Sequence, residues 1–183
     1  MDYSDFHRDI IEQCKRGHRK AQFELYQLYS GAMYNVCLRM VKNEHDAEDL
    51  LQNSFVDVFG HLESFKFQSS IGAWIKRIVI NNCINFLKRR RLQFDELEDR
   101  HSHVTETLHE DSTDPVWTVD AIQRAMMQLP DGYRVVFSLY LLEGYDHQEI
   151  GEILNISEAT SKSQYSRAKK KLRDILSAPA GIY

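Results

Sequence analysis

The sequence contains few of the residues that interrupt or cross-link a chain. Its 183 residues include only three prolines, eight glycines and three cysteines. Scarce proline and glycine leave long uninterrupted segments, and this favours helix over sheet. Cys14, Cys37 and Cys83 are odd in number and far apart, which is typical of reduced thiols in the cytosol rather than of a disulfide framework.

Long apolar runs are absent as well. No segment approaches the ~20 residues needed to cross a membrane. The N-terminus has no basic start followed by an apolar core, as a signal peptide would. With 43% hydrophobic and 27% charged residues, the composition is typical of a globular protein. We therefore expect a cytoplasmic protein with no direct membrane insertion.

Motifs for catalysis and for cofactor binding are also missing. The sequence has no glycine-rich phosphate loop and no Ser, His and Asp set that its pattern would bring into one pocket. His101, His103 and His109 lie close together, but no cysteine is near them and no second cluster offers spaced ligands. We therefore expect no metal, no cofactor and no enzymatic activity of the chain itself.

The formal net charge of -4 hides an alternation of sign along the chain. Residues 43–52 are acidic, residues 88–91 are basic, residues 95–114 are acidic, and the last predicted helix is basic again. Blocks of opposite sign predict separate surfaces for separate partners.

Apolar residues at three- and four-residue spacing predict four helices in the first half. The first ends at Gly17, and the second carries an apolar stripe from Ala21 to Met40. Asp46 is the expected N-cap of the third helix, and the fourth is expected to span residues 71–90.

The periodicity stops after the fourth helix. Residues 92–115 are dominated by acids, His, Ser and Thr, and they cannot bury enough apolar surface to offset chain entropy. Helical spacing resumes at Val116. We therefore predict an all-α protein of two small helical domains, residues 1–91 and 116–183, joined by an acidic flexible linker over residues 92–115.

The second predicted domain contains the pattern of a helix-turn-helix. A short helix over residues 146–154 is followed by a three-residue turn, and Ser157 stands where the next helix needs an N-cap. The spacing places Ser161, Tyr165 and Ala168 on the inward face of that helix. The outward face is expected to hold Thr160, Ser163, Gln164 and Arg167.

This outward face has the chemistry of a DNA-reading surface. The N-terminal half of a recognition helix enters the major groove, where Gln164 could pair with an adenine edge and Arg167 with guanine or a phosphate. Lys162, Lys169, Lys170 and Lys171 suit phosphates, which give affinity without sequence information. The alternative is a solvated basic helix that merely ends a bundle.

The fourth helix carries a second polar face, formed by Asn81, Asn85, Lys88 and Arg89 beside Phe86, and Arg90 and Arg91 extend its positive end. Amides next to an aromatic ring and a basic terminus could hold unstacked bases and a nearby backbone. The alternative is an amphipathic helix with ordinary polar exposure.

Three segments, in order, resemble those of the extracytoplasmic-function group of the sigma-70 family, the small bacterial sigma factors that have only regions two and four. "DAEDLLQNSFVDVF" resembles region 2.2, which docks on the clamp helices of core RNA polymerase. "SSIGAWIKRIVINNCINFLKRRR" resembles regions 2.3 and 2.4, which open and read the promoter -10 element. The segment from Leu129 to Leu176 resembles region 4, whose helix-turn-helix reads the -35 element.

The resemblance implies a sigma factor that binds core polymerase and promoter DNA to direct transcription initiation, with an anti-sigma factor as a further partner. The implied polymerase-binding residues are Asp46, Asp49, Gln52, Asn53, Val56 and Asp57. The implied -10 residues are Asn81, Asn85, Lys88, Arg89, Arg90 and Arg91, with Asn85 expected to capture a flipped base. The implied -35 residues are Ser157, Thr160, Lys162, Ser163, Gln164, Arg167, Lys170 and Lys171.

The chain departs from the family pattern at positions that bear on packing and binding. Ser161 replaces an inward Val, which we expect to weaken packing by roughly a kilocalorie per mole or more. Gln164 replaces a usual Arg on the reading face, and Asn53 replaces a usual Glu in the docking helix. Two alternatives therefore stay open: a stand-alone helix-turn-helix regulator, and a degenerate sigma-like protein that occupies polymerase without initiating.

Overall fold

The computed structural model describes residues 3–90 and 117–178, with side chains from residue 7 onward. The chain divides into two compact units, an N-terminal unit over Met1–Arg90 and a C-terminal unit over Arg91–Tyr183. The described parts of both units are helical and contain no strand. The predicted all-α fold with two helical domains is confirmed, whereas the linker predicted at residues 92–115 lies outside the described residues.

The N-terminal unit is a bundle of four α-helices joined by short connections. These are α1 (Tyr3–Lys15), α2 (Arg19–Val41), α3 (Glu44–His61) and α4 (Ile71–Arg89), with a 3-10 turn at Leu62–Ser64 after α3. Helices α2, α3 and α4 pack against one another, and α1 packs against α2. The core residues with no exposed surface are Leu25, Cys37, Ala47, Val58, Ile75, Val79, Ile80 and Cys83. Their three- and four-residue spacing on each helix forms the apolar stripes that drive the packing.

Helix α3 begins earlier than the sequence predicted. Asn43 is its N-cap, and its side-chain oxygen accepts a hydrogen bond from the backbone N–H of Asp46 at 2.9 Å. The prediction that Asp46 caps this helix is therefore wrong. Asn and Asp are equally good N-caps, and Asn43 takes the role because it lies three residues before the N–H that needs an acceptor.

The connection between α3 and α4 contains an unusual backbone conformation. Phe65 is buried, and Phe67 has φ of 58° in the left-handed region. That region costs roughly 1–2 kcal/mol for a residue with a β-carbon. Ser70 then caps α4 by accepting a hydrogen bond from the backbone N–H of Ala73 at 3.2 Å.

The C-terminal unit contains four α-helices in its described part. These are α5 (Val119–Met126), α6 (Asp131–Phe137), α7 (His147–Leu154) and α8 (Glu158–Ser177), with a π-helical segment at Ser138–Leu142 after α6. Ala125, Met126, Leu129, Phe137, Ala168 and Leu172 form its core. Arg134 is fully buried and donates to Asp131 Oδ1 at 2.6 Å and to the Leu129 carbonyl oxygen at 3.3 Å, which compensates its burial.

Helices α7 and α8 form the predicted helix-turn-helix. Asp146 and Glu149 make a capping box at the start of α7, and Asn155 ends that helix with φ of 60°. Gly151 lies so close to the turn that a β-carbon there would be 2.9 Å from the Ile156 carbonyl oxygen. Ser157 accepts a hydrogen bond from the Thr160 N–H at 2.9 Å, so the prediction that it caps α8 is confirmed.

Candidate functional site

Four residues of α3 form an exposed surface, here named the docking face: Asp49, Gln52, Asn53 and Val56. The apolar stripe of α3 points the other way, into the bundle, so these positions are left outside. Val56 is 70% exposed and is the most exposed large hydrophobic residue in the described part of the chain. An exposed valine among acids and amides has the character of a contact surface.

The other two predicted polymerase-binding residues are engaged within the bundle. Asp46 Oδ2 accepts a hydrogen bond from Arg90 Nη1 at 2.7 Å, across the gap between α3 and α4. Asp57 Oδ2 accepts one from Asn82 Nδ2 at 2.8 Å, and the same amide lies 3.2 Å from Ser54 Oγ. Asp46 and Asp57 therefore tie α3 to α4 as well as bordering the docking face.

Ser54 and Asn82 were missed by the sequence reasoning. Ser54 is fully buried, although serine is a small polar residue in the middle of an otherwise apolar stripe. Such an interruption is a signal that a buried hydroxyl needs a hydrogen-bond partner on a neighbouring helix. The partner could not be identified from sequence, because Asn82 lies 28 residues away.

The polar face predicted on α4, here named the α4 face, is exposed. Asn81, Asn85, Lys88 and Arg89 all lie on the surface. Phe86 is half-buried, and the Arg90 guanidinium carbon lies 4.9 Å from its ring centroid. Arg91 lies outside the described residues. The structure thus brings the two amides and two cations together on one helix surface, where their side chains could contact a single strand.

The N-terminal half of α8 presents hydroxyls that are already hydrogen-bonded locally. Ser157 Oγ lies 2.8 Å from Thr160 Oγ1, and Ser163 Oγ donates to the Ala159 carbonyl oxygen at 2.9 Å. Lys162 pairs with Glu158 at 2.7 Å, and that hydrogen bond raises the pKa of the lysine. Of the remaining predicted -35 residues, Arg167 is half-buried, and Lys170 and Lys171 are exposed.

Gln164 does not lie on the outward face of α8, so its predicted position is wrong. It is only 8% exposed. Position 164 is three residues after Ser161 and four before Ala168, and both of these are fully buried. The helical period therefore places Gln164 on the inward side. Its Oε1 approaches α6 so closely that a β-carbon on Gly132 would lie 3.3 Å away.

Ser161 is fully buried, which confirms its predicted inward position. Its hydroxyl lies 2.9 Å from Nδ1 of His147, at the start of α7. The imidazole stacks on Tyr140 with the ring centroids 4.3 Å apart. Burial, and then the charge of Lys162, lowers the pKa of His147. The hydroxyl thus gains a hydrogen bond that partly offsets the packing expected to be lost where Ser replaces Val.

Among the described residues, no three or more His, Cys, Asp and Glu side chains gather in a way that could bind an ion. His101, His103 and His109 lie outside this part of the chain. No helix within the described ranges is long and apolar enough to cross a membrane.

Two family models match the chain, one in each unit. The sigma-70 region 2 model matches residues 25–93, which include the docking face and the α4 face. The sigma-70, region 4 model matches residues 120–172, which include α7 and most of α8.

Curated relatives match over most of their length. The extracytoplasmic-function (ECF) RNA polymerase sigma factor SigW of Bacillus subtilis (strain 168) is 30% identical over 173 residues, covering 89% of this chain and 92% of the relative. The ECF RNA polymerase sigma factor SigM of the same organism is 30% identical over 150 residues, covering 82% of this chain and 91% of the relative.

Solved structures show the same fold. The sigma factor RpoE, in complex with the anti-sigma factor NepR from Bartonella quintana, matches with a TM-score of 0.53 and 20% identity, covering 85% of this chain and 96% of that chain. CnrH, in complex with the cytosolic domain of CnrY, matches with a TM-score of 0.54 and 22% identity, covering 94% of this chain and 98% of that chain. From these matches we conclude that the chain belongs to the ECF group of the sigma-70 family of RNA polymerase sigma factors.

Proposed function

We propose that this protein is a sigma factor that binds core RNA polymerase through the docking face and directs promoter-specific transcription initiation. The observation that carries the proposal is the exposure of Val56, at 70%, among polar residues of a helix inside the sigma-70 region 2 match. As an initiation factor it regulates transcription, while polymerase supplies the chemistry. Its site of action is the cytoplasm, where polymerase meets promoter DNA.

The docking face has the composition of a protein–protein contact. Val56 supplies apolar area that is gained only when a partner covers it. Asp49 supplies negative charge beside it, and charge complementarity steers encounter and fixes register more than it adds affinity. This combination of apolar area and negative charge suits a basic helical partner. We propose that this partner is the clamp helices of core polymerase.

Two separate surfaces are assigned to promoter DNA. The α4 face places Asn81 and Asn85 beside Lys88 and Arg89, so amides that can bind base edges lie next to cations that can bind phosphates. In α8, Lys170 and Lys171 are exposed for phosphate contacts, and Thr160 and Ser163 lie toward its N-terminal half. We assign the first surface to the -10 element and the second to the -35 element.

An anti-sigma factor is proposed as a further partner. The RpoE structure contains the anti-sigma factor NepR, and CnrH was solved with the cytosolic domain of CnrY. A protein that covers the docking face would compete with polymerase for Val56. Purification of the chain from its source cells, followed by identification of the proteins that co-purify, tests this part of the proposal. Co-purification of polymerase but of no smaller inhibitory protein would contradict it.

In vitro transcription with core bacterial polymerase and fragmented genomic DNA of the source tests the function. Discrete new transcripts that start downstream of a shared motif are expected only when the protein is added. Polymerase binding without transcripts would indicate a degenerate sigma-like protein. Promoter binding by the free chain, with no polymerase binding, would indicate a stand-alone regulator.

A matched pair of valine variants tests the docking face. Val56→Glu is expected to weaken core binding by about tenfold or more, because it places a charge in the centre of an apolar contact. Val119→Glu changes an equally exposed valine, at 68%, in the C-terminal unit and serves as the control. Equal core affinity of the two variants would contradict the assignment.

A further inference from the structure

Helix α1 lies before the residues that the sigma-70 region 2 model matches, and it contacts the connection between α3 and α4. The region 2 match begins at residue 25, after α1 has ended at Lys15. Ile10, Ile11 and Cys14 are buried in the bundle. Arg8 and Lys15 are seven residues apart, which is two helical turns, and both reach residues 65–70, here named the α3–α4 loop.

The contacts converge on one aromatic ring and its neighbour. Lys15 Nζ lies 5.0 Å from the centroid of the Phe67 ring, and the Arg8 guanidinium carbon lies 4.9 Å from the same centroid. Lys15 Nζ also donates a hydrogen bond to the Phe65 carbonyl oxygen at 3.2 Å, across 50 residues of sequence. Arg8 is exposed, whereas the Lys15 side chain is only 14% exposed and its Nζ also lies 3.7 Å from Glu12 Oε1. Cation–π contacts are stronger at desolvated sites than at exposed ones.

Phe67 needs these contacts because its backbone is strained. A φ of 58° is rare for a bulky residue and persists only when the surroundings hold it in place. The Phe65 ring packs 5.0 Å from the Phe67 ring and 5.3 Å from Trp74 in the first turn of α4. These contacts therefore run without a break from α1, through the α3–α4 loop, to the start of α4, the helix that carries the α4 face.

We propose that Lys15 and Arg8 are positioning residues for promoter opening. They hold Phe67 in its left-handed conformation, and this fixes how the loop leads into α4 and so how the α4 face meets the opened strand. Without the two cations, Phe67 relaxes to an ordinary φ and the loop loses its defined conformation, while the docking face on α3 is unaffected. The inference rests on the proposed sigma function.

Separate measurements of core binding and of strand opening test it. Lys15→Met keeps the aliphatic stem without the cation, Arg8→Gln removes the other cation, and Arg16→Gln is the control at an exposed position of the same chain segment. In the double variant, permanganate reactivity of -10 thymines in polymerase–promoter complexes is expected to fall about tenfold. Core affinity, measured by competition, is expected to stay within about twofold, and Lys15→Arg is expected to restore part of the opening.

A second pair of variants links the effect to the Phe67 ring. Phe67→Gly adopts a positive φ without strain but offers no ring to Arg8. Arg8→Gln is therefore expected to have no further effect on opening in the Phe67→Gly background, although it reduces opening in the wild-type background.

The outcomes distinguish this inference from the function on which it rests. If Lys15→Met and Arg8→Gln reduce core binding as much as opening, or reduce neither beyond the Arg16→Gln control, the positioning role is wrong and the sigma function stands. If the wild-type protein opens no promoter with polymerase, the proposed function has failed first, and the inference falls with it.

Discussion

Arg90 donates a hydrogen bond to Asp46 at 2.7 Å, between residues that the sequence assigned to two different partners. Asp46 was expected to bind polymerase, and Arg90 was expected to bind the -10 strand. In the protein without partners, one negative charge of α3 and one positive charge of α4 neutralise each other. The positive charge that we propose for DNA binding on the α4 face is thereby reduced until the pair opens.

Asp46→Asn is expected to increase the binding of the isolated protein to single-stranded DNA. The substitution releases Arg90 for a phosphate, so the slope of log affinity against log salt becomes steeper by about 0.7 for one added contact. The free energy of unfolding is expected to fall by only about 0.2–1 kcal/mol, because the Arg90 side chain is 56% exposed. Fluorescence anisotropy titrations at several salt concentrations measure the slope.

Glu48→Gln is the control for this prediction, because it removes the same charge from an exposed position of α3. If it steepens the salt dependence as much as Asp46→Asn does, the effect is one of net charge and not of the released arginine.

Gln164→Ala is expected to destabilise the C-terminal unit without changing the base preference at the -35 element. The side chain is buried between α8 and α6, so its truncation removes packing contacts at a cost of about 0.5–3 kcal/mol, the usual range for a destabilising substitution. Ser166→Ala, at an exposed position of the same helix, is expected to change stability by less than about 0.5 kcal/mol. Urea unfolding and transcription from -35 variants measure the two quantities, and an altered base preference at unchanged stability would place Gln164 on the reading face after all.

Gly151→Ala is expected to damage the helix-turn-helix. The added β-carbon would lie 2.9 Å from the backbone oxygen of Ile156, so α7 and the turn must separate at a cost of about 1–3 kcal/mol. Gly31→Ala has the opposite expectation, a gain of about 0.5–1 kcal/mol, because Gly31 is inside α2 with nothing within 4 Å of a β-carbon. Thermal unfolding compares the variants, and a stabilising effect of Gly151→Ala would show that the contact can relax freely.

The C-terminal unit is expected to lose stability as the pH falls below about 6.5. The folded state lowers the pKa of His147 through burial and the charge of Lys162, opposed by the charges of Glu158 and Asp146. The unfolded state then binds more protons than the folded state, so the contribution of His147 is fully present above its unfolded pKa and is lost as the pH falls through the folded value.

His147→Phe keeps a ring to stack on Tyr140 but does not titrate. The difference in unfolding free energy between wild type and this variant, measured at pH 7.5 and 5.5, isolates the contribution of His147. An unchanged difference between the two pH values would contradict the prediction.

Local patterns predicted the helices well, because each helix depends on the spacing of its own apolar residues. The fourth predicted helix, residues 71–90, is observed at Ile71–Arg89, and the cap at Ser157 was identified from the turn before α8. The error at Asp46 was an error of boundary, where Asn43 and Asp46 are both good caps and only the geometry decides between them.

Contacts between helices could not be predicted in the same way. The contact of Lys15 with Phe65 and that of Arg90 with Asp46 form only when the bundle has folded. The sequence spacing of these residues does not predict either contact. Gln164 is a different case. Its polarity suggested exposure, while its position between Ser161 and Ala168 already indicated burial, so periodicity should have outweighed residue type.

All three cysteines lie in the N-terminal unit, and all three are buried. Burial raises the pKa of Cys14 to about 11, and the Cys83 thiol, whose pKa is raised by its hydrogen bond to Cys37, is held against that partner inside the bundle. An alkylating reagent can therefore reach them only when this unit opens, and the C-terminal unit contributes no thiol to the signal. The rate at which this chain is alkylated, followed by its mass, therefore reports how often the N-terminal unit opens and is not affected by opening of the C-terminal unit.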